Sequence, residues 1–400
     1  VAPRERRVRV GVPLRRLRRV HAAVDRWQAG ESLYRRTDEG GFWGTYLYPP
    51  VVVLLFWPFT APLSFRPAAM AWVLATAVFL WLGLQALVAA LGYDLRRSER
   101  LGLAVLLAGF HPVVLTAKLG QTALFMGGLL SVAAAALIRD GTGRADRDRG
   151  ATTGSRWAYV SGAATAVVGV VKFAYAPVGA HLLHDRRRKV GALLVVPPLV
   201  WLSIRFFGVA AHLTYVDVLR WGVEQGSDGA RSPTLWLAPY FKPLAWLPAA
   251  QAVRLVVCLG VVACSLLAPP RARRTVFALG VAAVPLFTPQ TYTYYFVALL
   301  PVAVILLAVE LERDGRPELV LLGVLCLHLH AYGLKFLVHT VPSAFPAFET
   351  LRPAYLLLQP GLWGNALLFG LAALRTVQSI DVSSVLPAET DSFDRPTDGD

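Results

Sequence analysis

The sequence predicts an all-α, polytopic membrane helix bundle of about ten transmembrane or re-entrant helices. Three observations carry this. Residues of the AVILMFWYC set make up 56% of the 400 positions and Asp, Glu, Lys and Arg only 16%, whereas a soluble domain has about 25% charged residues. The apolar residues are gathered in long blocks, on the scale of the roughly 20 residues that cross a bilayer as a helix. Arginines stand at the ends of those blocks, where they mark connections held on one side of a membrane. The pattern excludes a secreted disulfide scaffold, a coiled coil and a disordered protein. Cys258 and Cys264 share one apolar block and Cys326 lies in another, so all three read as small core residues.

The blocks run approximately over 46–64, 68–92, 100–117, 121–138, 157–183, 190–211, 246–268, 275–288, 292–310, 318–341 and 354–377. The first is interrupted by prolines, and 275–288 is brief. Residues 1–44 form a basic segment and outer loop, 45–378 the membrane domain, and 379–400 an acidic tail that reads as disordered and cytoplasmic. The N-terminal segment carries Arg4, Arg6, Arg7, Arg9, Arg15, Arg16, Arg18 and Arg19 and is too polar to insert. No internal repeat is visible.

The net charge of +15, from 40 Lys and Arg against 25 Asp and Glu, points to anionic lipid and cytoplasmic loops. Nothing suggests nucleic acid, because the arginines lack aromatic interleaving. Four connections, 94–100, 139–156, 185–189 and 271–274, are basic and belong in the cytoplasm. Block 157–183 then has both flanks inside. It must enter and return, bending between Lys172 and Pro177. The remaining connections fall outside, and most of the unusual polar residues gather with them. Polar groups concentrated at one mouth predict a site there.

Lys172 lies deep in an apolar block, where a charge is costly unless it is paired or faces a wet cavity. It is a candidate ligand of a phosphate or pyrophosphate, set against a lysine that snorkels to the interface. His328, Tyr332, Lys335 and His339 share one helical stripe by spacing. That stripe reads equally as an anion-facing surface or as a polar seam between helices, and His330 lies off it as a structural residue. Gly120-Gln121 follows a short outer turn and opens a helix whose N–H groups favour anions, or is simply a turn. The cluster Thr288-Pro-Gln-Thr-Tyr292-Thr-Tyr294-Tyr295 is a membrane-interface aromatic belt on the simpler reading and a sugar-stacking platform on the sharper one. Asp146-Arg-Asp148 has the spacing of a divalent-metal motif but sits in a Gly/Arg/Asp linker, so it reads as solvated chain. There is no Walker loop, Rossmann fingerprint, zinc spacing or nucleophile elbow.

These pieces, in this order, resemble glycosyltransferase family 87, a GT-C type family that includes polyprenyl-phosphate-mannose-dependent α-mannosyltransferases. Gln28-Ala-Gly30-Glu-Ser-Leu-Tyr34 resembles the family's G-x-x-L-Y stretch, and Tyr48-Pro-Pro50 with 51–56 its Y-P-P segment. Phe110-His-Pro112 and Gly120-Gln121 are similar to its F-x-P and G-Q pair, Lys172 to its lysine, and 289–295 to its S-P-x-S-W-x-H-Y loop. The resemblance spans roughly residues 22–310. Ala123 stands where Asn is frequent, Pro177 is displaced from the lysine, and Tyr292 and Tyr294 replace Trp and His. The arginine-rich stretch occupies the place of a membrane helix and an acidic loop, which reads as a truncated or altered N-terminus.

The resemblance implies transfer of a hexose, mannose first, from a polyprenyl-phosphate donor to a lipid- or glycan-linked acceptor on the extracytoplasmic face of the plasma membrane. It implies Asp25 as the acid that takes the acceptor's proton, with Asp38, Glu39, Asp217 and Glu349 as other available acids. Substrate would be held by Tyr48, Gln121, Lys172, Gln290, Tyr292, Tyr294, Lys335 and His339. The expected partners are the lipid-linked sugar, a glycan or glycolipid acceptor and the bilayer, with no nucleic acid, no metal and no cofactor besides the donor as co-substrate. A multi-pass transporter or lipid flippase is the competing reading, weakened by the lack of a repeat carrying paired broken helices. A non-catalytic membrane scaffold is the third.

Overall fold

The computed structural model describes residues 14–37, 41–42, 44–147, 155–227, 240–241, 249–288, 291–339 and 359–380. Its first element, α1 (Arg15–Gln28), is an amphipathic helix. Leu17, Val20, Ala23 and Val24 fall on one stripe and are buried, as a 3.6-residue period dictates. The stripe lies over the turn at Gly120, where a Cβ would meet that of Leu17 at 2.8 Å. The N–H of Leu14 also donates to the carbonyl of Lys118 at 2.7 Å. Trp27 anchors the far end, packed on Trp57, Phe206 and Phe207.

The bundle follows. α2 (Val51–Thr60) is short, and α3 (Phe65–Ala90) is a full span. α4 (Arg97–Gly109) and α5 (His111–Leu119) meet at a bend of 60°. The break falls where Pro112, in the first turn of α5, cannot donate to the preceding helix. α6 (Ala123–Arg147) packs along α3 through small residues, since a Cβ on Gly83 would lie 2.8 Å from the carbonyl of Gly128. α7 (Ser155–Val171) ends at Lys172, whose backbone is extended (φ −149°, ψ 97°), and a 3-10 helix, Phe173–His184, returns beside it. The entering and returning segment expected of block 157–183 is therefore present, with its bend at Lys172.

α8 (Arg186–Leu193) leads into α9 (Val196–Ser227), kinked at Gly208 where φ is +72°. The sequence reading ended this block at 211 and began an outer loop. The helix runs on to Ser227, because Tyr215, Val218 and Leu219 form an apolar face that closes a cavity. After β1 (Tyr240–Phe241) come α10 (Ala250–Leu267), α11 (Arg273–Phe287) and β2 (Thr291–Tyr292). β1 and β2 pair antiparallel, Tyr240 opposite Tyr292 and Phe241 opposite Thr291, a small departure from a purely helical chain. A 3-10 turn, Thr293–Leu299, opens into α12 (Leu300–Glu312), followed by α13 (Pro317–His339) and α14 (Pro360–Val377).

α11 is buried from Thr275 to Leu286. It packs against α10, α12, α14 and the 3-10 helix Phe173–His184, so it is covered along its length despite its brevity. Among the described residues, five helical segments are long and apolar enough to cross a bilayer, six with the bent α4–α5 pair, and three apolar helices are shorter. The ten or so segments expected thus divide into full spans and short or broken ones.

The basic connections converge at one end. Arg188 pairs with Asp140 at 2.9 Å, both nearly fully buried. Arg273 packs against Gly141. Arg274 grips Glu312 through two bonds of 2.7 and 2.6 Å, and Arg375 grips Glu310 likewise. α3 and α6 run parallel, as Phe125 beside Trp72 and Ser131 beside Gly83 show, so connection 94–100 shares this end. Lys172 closes the opposite end of α7, about 25 Å away at 1.5 Å per residue.

Candidate functional site

At the Lys172 end the helices enclose a cavity of about 600 Å³. Its walls come from α1, the loop before α2, the Lys172 bend, α9, α10, α11 and the segment after β2. Much of the lining is apolar, including Val218, Leu219, Val223, Val261, Val284 and Phe287. Its charged lining residues are Arg16, Arg19 and Lys172, and no Asp or Glu is among the described residues that line it.

A tyrosine stack organises these charges. The rings of Tyr292 and Tyr294 lie 5.0 Å apart at 10°, and those of Tyr294 and Tyr295 5.4 Å apart at 27°. Tyr175 continues the stack from the 3-10 helix, 6.2 Å from Tyr295. The Lys172 ammonium sits 3.3 Å from the centre of the Tyr295 ring, and the Arg16 guanidinium 5.7 Å from that of Tyr292. The two cations thus stand on rings of the same cluster, whose centres are 6.3 Å apart. Cation–π contact gives each about 0.5–2 kcal/mol, well short of the cost of removing a charge from water.

The loop before α2 supplies a second aromatic group. The Tyr48 hydroxyl donates to Oε1 of Gln121 at 2.5 Å, and the Tyr46 hydroxyl to the carbonyl of Pro49 at 2.8 Å. Tyr34, bonded through its hydroxyl to the carbonyl of Tyr48 at 2.7 Å, packs on Tyr46 and Tyr215. Burial, with Tyr215 beside it, pushes the Tyr34 phenol up, so it stays a neutral donor. Gly120, in the left-handed region at φ +66°, terminates α5. Gln121 and Thr122 are buried beneath α1, so this stretch is a packed turn that positions Tyr48.

The model of glycosyltransferase family 87 matches residues 46–289, more than half of the chain. The chain belongs to glycosyltransferase family 87. No curated protein and no solved structure matches it. Membership makes it a membrane glycosyltransferase, which acts on a sugar donor and an acceptor, and the apolar spans agree. The matched region contains the Tyr48 loop, the Gln121 turn and Lys172.

Of the residues singled out by sequence, the fold brings Tyr48, Lys172, Tyr292 and Tyr294 to the cavity, with Gln121 behind Tyr48. Asp25 is not in the lining. It stands on the exposed side of α1, bonded to Nδ1 of His21 at 3.0 Å. Asp217 is half-exposed on α9, paired with Arg36 at 3.3 Å and Arg220 at 3.9 Å. His328 packs on Phe110 and accepts from the N–H of His111, away from the cavity, while His330 is fully buried and accepts from the N–H of Gly361. Asp38, Glu39, Asp148, Gln290 and Glu349 lie outside the described residues. The side chains of Asp146, Tyr332, Lys335 and His339 do so too. No cluster of three or more His, Cys, Asp or Glu able to hold a metal occurs among the described residues.

Sequence reading missed Arg16, Arg19, Tyr175 and Tyr215 as site residues, and held Tyr295 only as a member of the aromatic cluster. A signal existed for the arginines. The stripe Leu17, Val20, Val24 leaves Arg16 and Arg19 at its edge, so once α1 docks they must border whatever it covers.

Proposed function

We propose that this family 87 protein is a GT-C type enzyme. It moves a hexose, mannose before others, from a polyprenyl-phosphate sugar to the hydroxyl of a lipid- or glycan-linked acceptor at the extracytoplasmic face of the plasma membrane. The observation that carries this is the cavity itself, whose lining combines cations on stacked tyrosines with many aliphatic side chains. A lipid phosphate likewise combines an anionic head with an apolar tail.

In the reaction the sugar's C1–O bond to phosphate breaks with both electrons on the phosphate oxygen. The acceptor oxygen bonds C1 from the opposite side, and its proton passes to a carboxylate. Lys172 faces the charge that builds on the departing phosphate, an electrostatic role that grows toward the transition state. The tyrosine stack offers faces for the sugar ring. Lys335, His339 and Gln290 remain proposed substrate ligands. The reaction needs no metal and no cofactor beyond the lipid-linked co-substrate.

Asp25 is kept as the proposed proton acceptor although it stands outside the cavity lining on the exposed side of α1, and Asp217, one residue from Val218 of the lining, is the other acid in contention. Asp25→Asn and Asp217→Asn separate them, because the true base loses about 10²–10⁴-fold in rate and the other does not. The function is tested by incubating membranes that carry the protein with radiolabelled polyprenyl-phosphate mannose and glycolipid acceptors. Label in an acceptor, lost in Lys172→Met, supports the reading. No label in any acceptor overturns it.

A further inference from the structure

The charge in this cavity exceeds what the proposed donor can neutralise. A sugar on a polyprenyl phosphate is a phosphodiester with one negative charge. The lipid phosphate left after transfer is a monoester, which carries close to two above its second ionisation near pH 6. Arg16, Arg19 and Lys172 line the cavity with no described acid among its lining residues, and of the three Arg16 and Lys172 are seated on the tyrosine rings. They stand on two neighbouring rings of one tyrosine cluster, Tyr292 and Tyr295, whose centres are 6.3 Å apart. Two fixed like charges in a cavity of mostly apolar lining are best satisfied by one dianion between them.

We propose that Arg16 and Lys172 form a two-cation clamp that selects the dianionic lipid phosphate product over the monoanionic donor, so that the enzyme is held back by its own product. The inference rests on the lipid-phosphate reading above and extends it to product recognition. α1 is central to it. The helix is pinned by Leu17 over Gly120 and by Trp27 among Trp57, Phe206 and Phe207. Arg16 is thereby fixed at the cavity wall. The apolar walls of α9, α10 and α11 take the start of the tail, which distinguishes a lipid headgroup from free phosphate.

The test is equilibrium binding to the full-length protein in nanodiscs, at a pH well above 6, with farnesyl phosphate, its monomethyl ester and inorganic phosphate as probes. The monomethyl ester keeps the tail and the phosphate but carries one charge. Farnesyl phosphate should bind about tenfold more tightly than the ester, the worth of one further charge-assisted contact. Arg16→Gln should bring that ratio close to one with ester binding little changed. Arg16→Lys should keep the preference, and Arg100→Gln at the other end of the bundle should behave as wild type. Equal binding of the two farnesyl probes by the wild type, or an undiminished ratio in Arg16→Gln, overturns the clamp. Displacement of farnesyl phosphate by inorganic phosphate at comparable concentration overturns its lipid specificity. Absence of sugar transfer with the charge preference intact would defeat the proposed reaction and leave the clamp standing. Transfer without the preference would do the reverse.

Discussion

Lys172 shows how far a single residue can be read. One lysine in an apolar block with both flanks arginine-rich had to sit at a bend, and the helix does end there. Replacing it by Met keeps its bulk and removes its charge. We expect about 10²–10³-fold loss in kcat with a much smaller change in KM, measured with radiolabelled donor. Tyr48 has a different task. Its hydroxyl meets the buried Gln121 amide at 2.5 Å, so Tyr48→Phe strands an acceptor and should cost about 1–3 kcal/mol of stability. Adding Gln121→Leu should return much of that, since removing both partners is far cheaper than removing one. Thermal unfolding in detergent reads both variants. Asp25 marks the limit of residue-level reading, for its place before Gly30 said nothing about which side of α1 it would occupy.

Among the elements, the crossing of α7 and α8 at the basic end depends on glycine. A Cβ on Gly162 would run into the Arg188 backbone, and one on Gly191 into that of Tyr159. Gly162→Ala must push the helices apart and should destabilise the protein by about 1–3 kcal/mol or more. Gly102→Ala, in α4 with open space around it, should instead stabilise by up to about 1 kcal/mol through helix propensity. A fall in Tm for the first and none for the second checks the crossing. The same junction holds the Arg188–Asp140 pair. Asp140→Asn leaves a buried guanidinium without its counter-charge, and we expect about 3–5 kcal/mol by the same measurement. Periodicity located these helices well because it is a local property. It misjudged α9, whose continuation past 211 is held by the cavity it lines.

For the whole molecule the prediction is one of sidedness. The arginine-rich ends should face the cytoplasm and the Lys172 cavity the exterior. With Cys258, Cys264 and Cys326 replaced, Ser32→Cys should react with a membrane-impermeant maleimide on intact cells, and Ser98→Cys only after permeabilisation. The opposite pattern would remove the extracytoplasmic site.

The sequence by itself determined that the chain is a membrane helix bundle, that four of its connections are basic, that it bends at Lys172, and that its motifs are those of family 87. These are local features: composition, period, flanking charge and short ordered motifs. Only the tertiary structure decided that Arg16 joins Lys172 at one cavity, that both sit on one cluster of stacked tyrosines, and that Asp25 faces away. Those facts depend on which surfaces meet when α1 lays its apolar stripe over Gly120. A stripe encodes that a helix must be covered, not what covers it.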